Sequence, residues 1–430
     1  KTSASIMMCF PANCLPRNNK IQSHKAALFD HLTERWRTLF GARYDVLLYD
    51  LTSTYFESPP PKNPDDKRRY GYSRDKRSDC VQVVIALVLT PEGFPIAYEV
   101  MAANTSDKTT LKGFLEKIEK QYGKANRTWL MDRGIPTEKV LQEMREHTPP
   151  ITYVVGTPKG RLSELEKSLS ERPWQRARSS VEVKVLPEAG ETYVFIQSRD
   201  RVAKERSMRR RRLRALLDEL EAIKNRKRPL KRDAMREALG GAKRMAGRDA
   251  RFVKTEVVLE GKGEAQRARL KYTLLRDRIR KAWKREGRYL IRTNLPETDG
   301  VRIWNFYLQL TEIEEAFKDL KGDLALRPIY HQRQDRIDSH ILISFLAYSL
   351  HFTLKARLRL SASGLTPRAV LEKFGAVQML DVHIPTTDER EIILSRYTQP
   401  EKDLQLLLDQ LKIQLPDQPP PKITRIEPKH

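Results

Sequence analysis

At 430 residues, with 39% apolar side chains, the chain is long enough for two or three domains, or for one domain carrying a large insertion. Lys and Arg outnumber Asp and Glu by 81 to 56, a net charge of +25 with a pI near 9.9, which calls for a polyanionic partner. No run of roughly 18 apolar residues occurs, so the expected partner is nucleic acid and not a membrane; the three cysteines, Cys9, Cys14 and Cys80, argue against a disulfide framework and fit a reducing cytoplasm.

Residues 1–43 read as an N-terminal helical segment, with further residues expected ahead of Lys1. Within it, 24–40 is predicted as an amphipathic helix with Leu28, Leu32, Trp36 and Leu39 on one side. A strand follows at 44–50, ending on Asp50, and then a polar, Pro-rich loop over 58–79. Strands at 81–90 and 94–101 flank Pro91-Glu92-Gly93, a hairpin signal. A helix at 108–121, a strand at 127–132 ending near Asp132, a helix at 136–146 and a strand at 151–155 complete this part. An antiparallel meander followed by βα units predicts a mixed five-stranded sheet with helices on its faces. With Asp50 and Asp132 both at strand C-terminal ends, they would share the edge where α/β sheets bind ligands.

Residues 157–300 break the pattern and read as a β-rich insertion, with strands at 181–186, 192–197, 252–259 and 288–294. Between them, about 200–250 is a charged helical arm carrying Arg209, Arg210, Arg211 and Arg212. Charge runs are commonly solvated helix faces, but the local positive excess favours DNA contact. Residues 301–360 return to helix: 305–321 carries Glu314, and a long apolar helix follows from about 336 to 358. Residues 361–430 are predicted as a helical region with a flexible, Pro-rich tail.

The chemistry suggested is phosphodiester cleavage, which needs carboxylates that hold divalent ions about 3.5–4 Å apart. Mg²⁺ suits a few acids because it keeps several waters. On the helix, seven residues make two turns less about 20°, so Tyr307, Glu314 and Lys321 align beside an apolar stripe of Ile313, Phe317, Leu320 and Leu324. Glu312 and Glu315 point elsewhere; the plain alternative for Glu314 is an i,i+4 salt bridge to Lys318. Tyr307 and Lys321 are candidate phosphate contacts, or else a core aromatic and a helix C-terminal charge. Arg74 and Arg133 are further candidates for DNA contact.

These residues resemble those of the insertion-sequence DDE transposases, in their IS-four-like superfamily. The resemblance runs in order through Tyr49-Asp50-Leu51-Thr52, Gly71-Tyr72-Ser73-Arg74-Asp75, Gly93-Phe94-Pro95-Ile96, Met131-Asp132-Arg133-Gly134, Ile313-Glu314-Glu315-Ala316-Phe317 and Leu326-Arg327-Pro328-Ile329-Tyr330-His331. It implies a ribonuclease-H-like catalytic domain, in two parts at 44–156 and 301–360, interrupted by the insertion domain. The implied acidic triad is Asp50, Asp132 and Glu314, holding Mg²⁺, for which Mn²⁺ can substitute. The implied partners are double-stranded DNA, as transposon ends and target, and a second copy of the chain in the complex that pairs the ends. The family pattern Tyr-x2-Arg-x3-Glu-x6-Lys is matched at Tyr307, Glu314 and Lys321, but Leu310 stands where the family has Arg. The implied activity is cleavage at transposon ends and strand transfer, in a prokaryotic, nucleoid-associated setting. Its rivals are a stand-alone metal-dependent nuclease and a non-catalytic DNA-binding relic.

Overall fold

The computed structural model describes residues 21–425 other than 106, 123–125, 159–160, 162–164, 166–167, 170, 189, 229, 261–266 and 389. Cys9 and Cys14 fall outside the described residues, and Cys80 is a buried free thiol. Helix α1 (Lys25–Phe40) leads into strands β1 (Val46–Phe56), β2 (Val81–Leu89) and β3 (Pro95–Ala102), then α2 (Asp107–Tyr122), β4 (Thr128–Met131), α3 (Glu138–Glu146) and β5 (Thr152–Thr157). Next come β6 (Gln175–Arg178), β7 (Val181–Glu188), β8 (Glu191–Ser198), α4 (Arg199–Lys224), α5 (Arg232–Ala246), β9 (Val253–Glu260), β10 (Arg267–Leu274), α6 (Arg276–Trp283) and β11 (Arg288–Thr293). The chain continues through α7 (Gly300–Leu308), α8 (Leu310–Lys321), α9 (Gln334–Ser361), α10 (Pro367–Phe374), β12 (Met379–Pro385), β13 (Arg390–Tyr397), α11 (Lys402–Leu411) and β14 (Lys422–Arg425). These elements divide between two compact units, one of Lys1–Arg127 with Gln309–His430, the other of Thr128–Leu308.

In the first unit β1, β2 and β3 form an antiparallel meander, with Asp50 opposite Leu87 and Thr54 opposite Val83. All nine residues of β2 are buried, which is why it reads, from Val83 to Leu89, as an unbroken apolar run instead of alternating. β1 does not stop at Asp50: Thr52, Thr54, Tyr55 and Phe56 are good strand formers and carry it to Phe56. Asp50 is therefore an interior strand residue and not a strand end as expected. The face of α1 that is buried is Phe29, Thr33 and Trp36, while Leu39 is exposed, a rotation from the predicted face.

Helix α9 is long and apolar enough, by length and composition, to cross a bilayer. It is instead tied into the first unit's core. Phe345 stacks on Tyr98 at 4.1 Å, Phe352 meets Phe94 edge-on at 5.1 Å, and the Tyr348 hydroxyl donates to the Gly93 carbonyl. Gly93 has φ +104, and a Cβ there would stand 2.5 Å from the Phe352 ring, so both the turn and the packing require glycine. The C-terminal region is not simply helical. β12, β13 and β14 form a three-stranded antiparallel sheet, and α11 packs with α10 through Val370, Leu404, Leu407 and Leu411.

In the second unit β4 and β5 pair in parallel, Thr128 opposite Thr152 and Met131 opposite Val155. β11 then adds antiparallel to β5, followed by β8, β7 and β6. Four strands from the expected insertion thus extend the β4–β5 sheet instead of forming a sheet of their own. The predicted separate insertion domain is replaced by a smaller outgrowth: α4, α5 and the β9–β10 hairpin close over Leu216, Leu220, Ile223, Met235, Leu239 and Leu270.

Candidate active site

Two of the three expected carboxylates, Asp50 and Glu314, lie in the first unit. Asp50 lies half-buried on β1, with its Oδ1 2.7 Å from the Leu51 amide that donates to it. Helix α8 packs on β1 through its apolar face, where Leu310, Ile313, Ala316, Phe317 and Leu320 are buried. Of its glutamates, Glu315 is ion-paired to Lys355 at 3.1 Å, and Glu312 is partly buried, which raises its pKa, with Glu315 adding to the rise. Glu314 is exposed and, among the described residues, has no hydrogen-bond or ion-pair partner; the i,i+4 bridge to Lys318 does not form. An acid left open on a helix otherwise packed on the Asp50 strand is free to ligate.

The third expected carboxylate, Asp132, lies in the second unit. Asp132 follows directly on Met131, the last residue of β4, and its side chain is exposed. The Tyr307 hydroxyl on α7 donates to Asp132 Oδ1 at 3.0 Å. Burial first, and then the Asp132 charge, push the Tyr307 phenol far above its usual pKa, so it remains a donor. Gly156 on β5 makes this possible: a Cβ there would lie 2.7 Å from the Tyr307 hydroxyl and 3.1 Å from the Arg133 amide nitrogen. Arg133 itself is exposed beside Asp132. The expected single helix is assigned as two, α7 and α8, on either side of Gln309, whose own backbone stays right-handed helical.

Lys321, expected to meet phosphate, donates to Asp75 Oδ1 at 2.8 Å with both side chains about nine-tenths buried. Arg74, next to Asp75, donates its amide to Ser53 Oγ at 3.2 Å, and its guanidinium sits over the Tyr72 ring. Asp75, Arg327 and Gly156 were not singled out from the sequence. Asp75 and Arg327 stand inside the motifs that carry the resemblance; for Gly156 the only signal is a glycine directly after the predicted strand at 151–155.

The arginine run also departs from expectation. Arg209 is buried and ion-paired to Glu286, itself buried, and Arg212 lies 3.6 Å from Asp249. Arg210 and Arg211 are exposed. The four do not form one solvated face: two are directed inward, lining a cavity of about 530 Å³ with Arg248, Arg288, Trp174 and Phe195. Among the described residues no group of three His, Cys, Asp or Glu side chains is placed to hold a metal ion.

A family model described as "Transposase DDE domain" matches residues 41–350, a span that includes Asp50, Asp132 and Glu314. No curated protein matches the chain. Among solved structures, the cryo-EM structure of the piggyBac transposase synaptic complex with hairpin DNA is similar at 9% identity and a TM-score of 0.39, over 80% of this chain and 55% of that one. The Mos1 transposase paired-end complex with the left transposon end is similar at 12% identity and a TM-score of 0.18, over 32% of this chain and 41% of that one. The chain thus spans about half the length of these structures.

Proposed function

The chain belongs to the transposase DDE domain family, and from that premise we propose that it is a DNA transposase that cuts transposon ends and joins a 3′-hydroxyl to target DNA. The observation that carries the reading is the match over 41–350, which takes in an interior-strand acid, a strand-end acid and an unpaired helix acid in family order. Members of this family work with divalent metal ions. Here the donor set is Asp50, Asp132 and Glu314, all hard oxygen ligands, which suits Mg²⁺ or Mn²⁺. When bound, such ions lower the pKa of an attacking hydroxyl and stabilise the leaving oxygen.

The chain's own residues have separate tasks. Tyr307 holds Asp132 Oδ1 and leaves Oδ2 to ligate. The packing of α8 on β1 fixes the level of Glu314 against the strand that carries Asp50. Arg133, exposed beside Asp132, offers a charge to the DNA backbone. The ribonuclease-H-like assignment of the sheet, the IS-four-like subgroup, a nucleoid-associated setting and a pair of chains across the two ends belong to the same proposal. The test is an assay with DNA carrying paired inverted repeats, a target plasmid and Mg²⁺. Strand-transfer products support the proposal. Cleavage without joining means a stand-alone nuclease, and binding without cleavage means a non-catalytic relic.

A further inference from the structure

The C-terminal sheet of the first unit is bounded by a strand with one side open. β12 pairs with β13, and among the described residues its other edge is unpaired. Every residue of β12 is exposed, and Met379, Leu380, Val382 and Ile384, all apolar, stand 42–53% exposed. Exposed edge strands commonly carry lysines or a proline that discourage pairing. In a chain with 81 Lys and Arg, residues 379–385 hold none, and their one proline stands at the end, at Pro385. The apolar residues also continue across the sheet. Val382 lies opposite Leu394, Ile384 lies opposite Ile392, and Ile392 lies opposite exposed Ile423. A contiguous apolar patch of this kind marks an interaction surface.

The hydrogen bonds at the two ends of β12 fix which backbone groups face outward. The Thr386 amide donates to the Arg390 carbonyl, and the Thr398 amide donates to the Gln378 carbonyl, each at 2.8 Å. In an antiparallel ladder such pairs recur at every second residue. Leu380, Val382 and Ile384 therefore direct their amides and carbonyls at β13, while Met379, Asp381 and His383 turn theirs to the open edge. The side chains of Asp381 and His383 share one face. Asp381 Oδ1 accepts from Ser395 Oγ at 2.5 Å, and His383 Nδ1 lies 3.1 Å from Glu391. Asp381 Oδ2 and His383 Nε2 have no partner among the described residues.

We infer that β12 is a pairing edge for a second copy of this chain, the two strands joining antiparallel about a twofold axis at Val382. The sequence of the strand selects this partner and this register. With Val382 opposite the partner's Val382, Asp381 falls opposite the partner's His383, and Leu380 opposite the partner's Ile384. Each acid then meets a ring nitrogen on one face, and apolar residues meet on the other. Asp381 and the partner's His383 both have outward backbone groups, so the phase of the ladder is satisfied as well. The two neighbouring registers of the same phase fail: an axis at Asp381 sets carboxylate against carboxylate, and an axis at His383 sets Asp381 against the partner's Pro385, which has no amide to give. The edge is only seven residues long, so the pairing belongs with the weaker specific interfaces and is expected at micromolar concentrations. It uses neither DNA nor metal, and does not depend on the transposase reading.

The test is sedimentation velocity of the full chain, free of DNA, over a concentration series through the micromolar range, beside disulfide trapping. The wild type is expected to pass from monomer to dimer. Val382→Lys sets two lysines against each other at the axis and is expected to stay monomeric with its circular dichroism intact. Trapping reads the register in a chain with Cys9 and Cys14 replaced by Ser. Opposite residues at the Val382 level lie about 4.5 Å apart between Cα atoms, within disulfide reach, so Val382→Cys is expected to cross-link to its own copy on mild oxidation. Leu380→Cys is expected not to cross-link alone, but to do so when mixed with Ile384→Cys. A wild type that remains monomeric throughout the series overturns the inference, and so does a dimer that persists in folded Val382→Lys. A wild-type dimer whose Val382→Cys form does not cross-link overturns the register.

Discussion

The Tyr307–Asp132 contact separates two roles that the sequence alone could not. A tyrosine at this point can touch DNA phosphate or can orient a metal ligand, and the structure puts its hydroxyl on Asp132 Oδ1 at 3.0 Å. Tyr307→Phe keeps the ring and deletes the donor. Hydrogen bonds to charged groups contribute about 1.5–3 kcal/mol, and the exposure of Asp132 places this one toward the lower end. Loss of an outer partner of a metal ligand typically costs 10–100-fold in metal affinity. The expected outcome is therefore a rise of about 10-fold in the Mg²⁺ concentration for half-maximal cleavage, with duplex affinity within twofold of wild type. Gly156→Ala is an independent route to the same defect, since its Cβ would lie 2.7 Å from the Tyr307 hydroxyl and must displace it. A metal titration of cleavage, run beside a fluorescence-anisotropy binding curve, reads both quantities. Weakened DNA binding with an unaltered Mg²⁺ requirement would refute this reasoning and make Tyr307 a phosphate contact.

Other expectations follow from the same contacts. Arg209→Gln leaves buried Glu286 with one of its two arginine partners, Arg206, and should destabilise the protein by roughly 3–5 kcal/mol, whereas Arg210→Gln and Arg211→Gln should cost under about 0.5 kcal/mol each; thermal melts decide. Burial, reinforced by Lys117, lowers the Lys25 pKa from 10.5 to about 8. The unfolded chain then binds the extra proton between those values, so wild-type stability rises with pH across that window. Lys25→Met should accordingly be stabilising below pH 8, by at most about 3 kcal/mol before its contacts with Tyr98 are counted, and the gain should fade as the pH approaches 10.5. Glu312→Gln and Glu315→Gln should retain cleavage within a few-fold of wild type, because one is partly buried and the other is committed to Lys355; a loss matching that of Glu314→Gln would undo the choice of acid on this helix.

Much of the first unit was legible because its signals were local. β2 and β3 announced themselves through an apolar run and a Pro-Glu-Gly turn, and α9 through length and composition. β1 runs past the expected stop at Asp50 because the β-forming residues after it sustain pairing with β2 as far as Val81. Arg209 was misplaced although a signal existed: Arg209, Leu213, Leu216, Leu220 and Ile223 recur at spacings of four and three, a core stripe with an arginine at its head. Its buried partner Glu286 is far off in sequence, so no local pattern could supply it. The Asp75 ion pairs join segments about 250 residues apart and are a product of tertiary packing. The C-terminal strands were missed because β12 is exposed along its length and shows no inward-facing pattern to read.

The central claim is that Asp50, Asp132 and Glu314 act together on one metal-dependent reaction. The direct measurement is Mg²⁺-dependent cleavage of DNA carrying the inverted repeats, by Asp50→Asn, Asp132→Asn and Glu314→Gln, each beside its DNA-binding curve. The account predicts that each single variant abolishes cleavage while affinity, carried by Lys and Arg on phosphates, stays near wild type. Mg²⁺-dependent cleavage that survives in any one of the three, at a rate close to wild type, contradicts it.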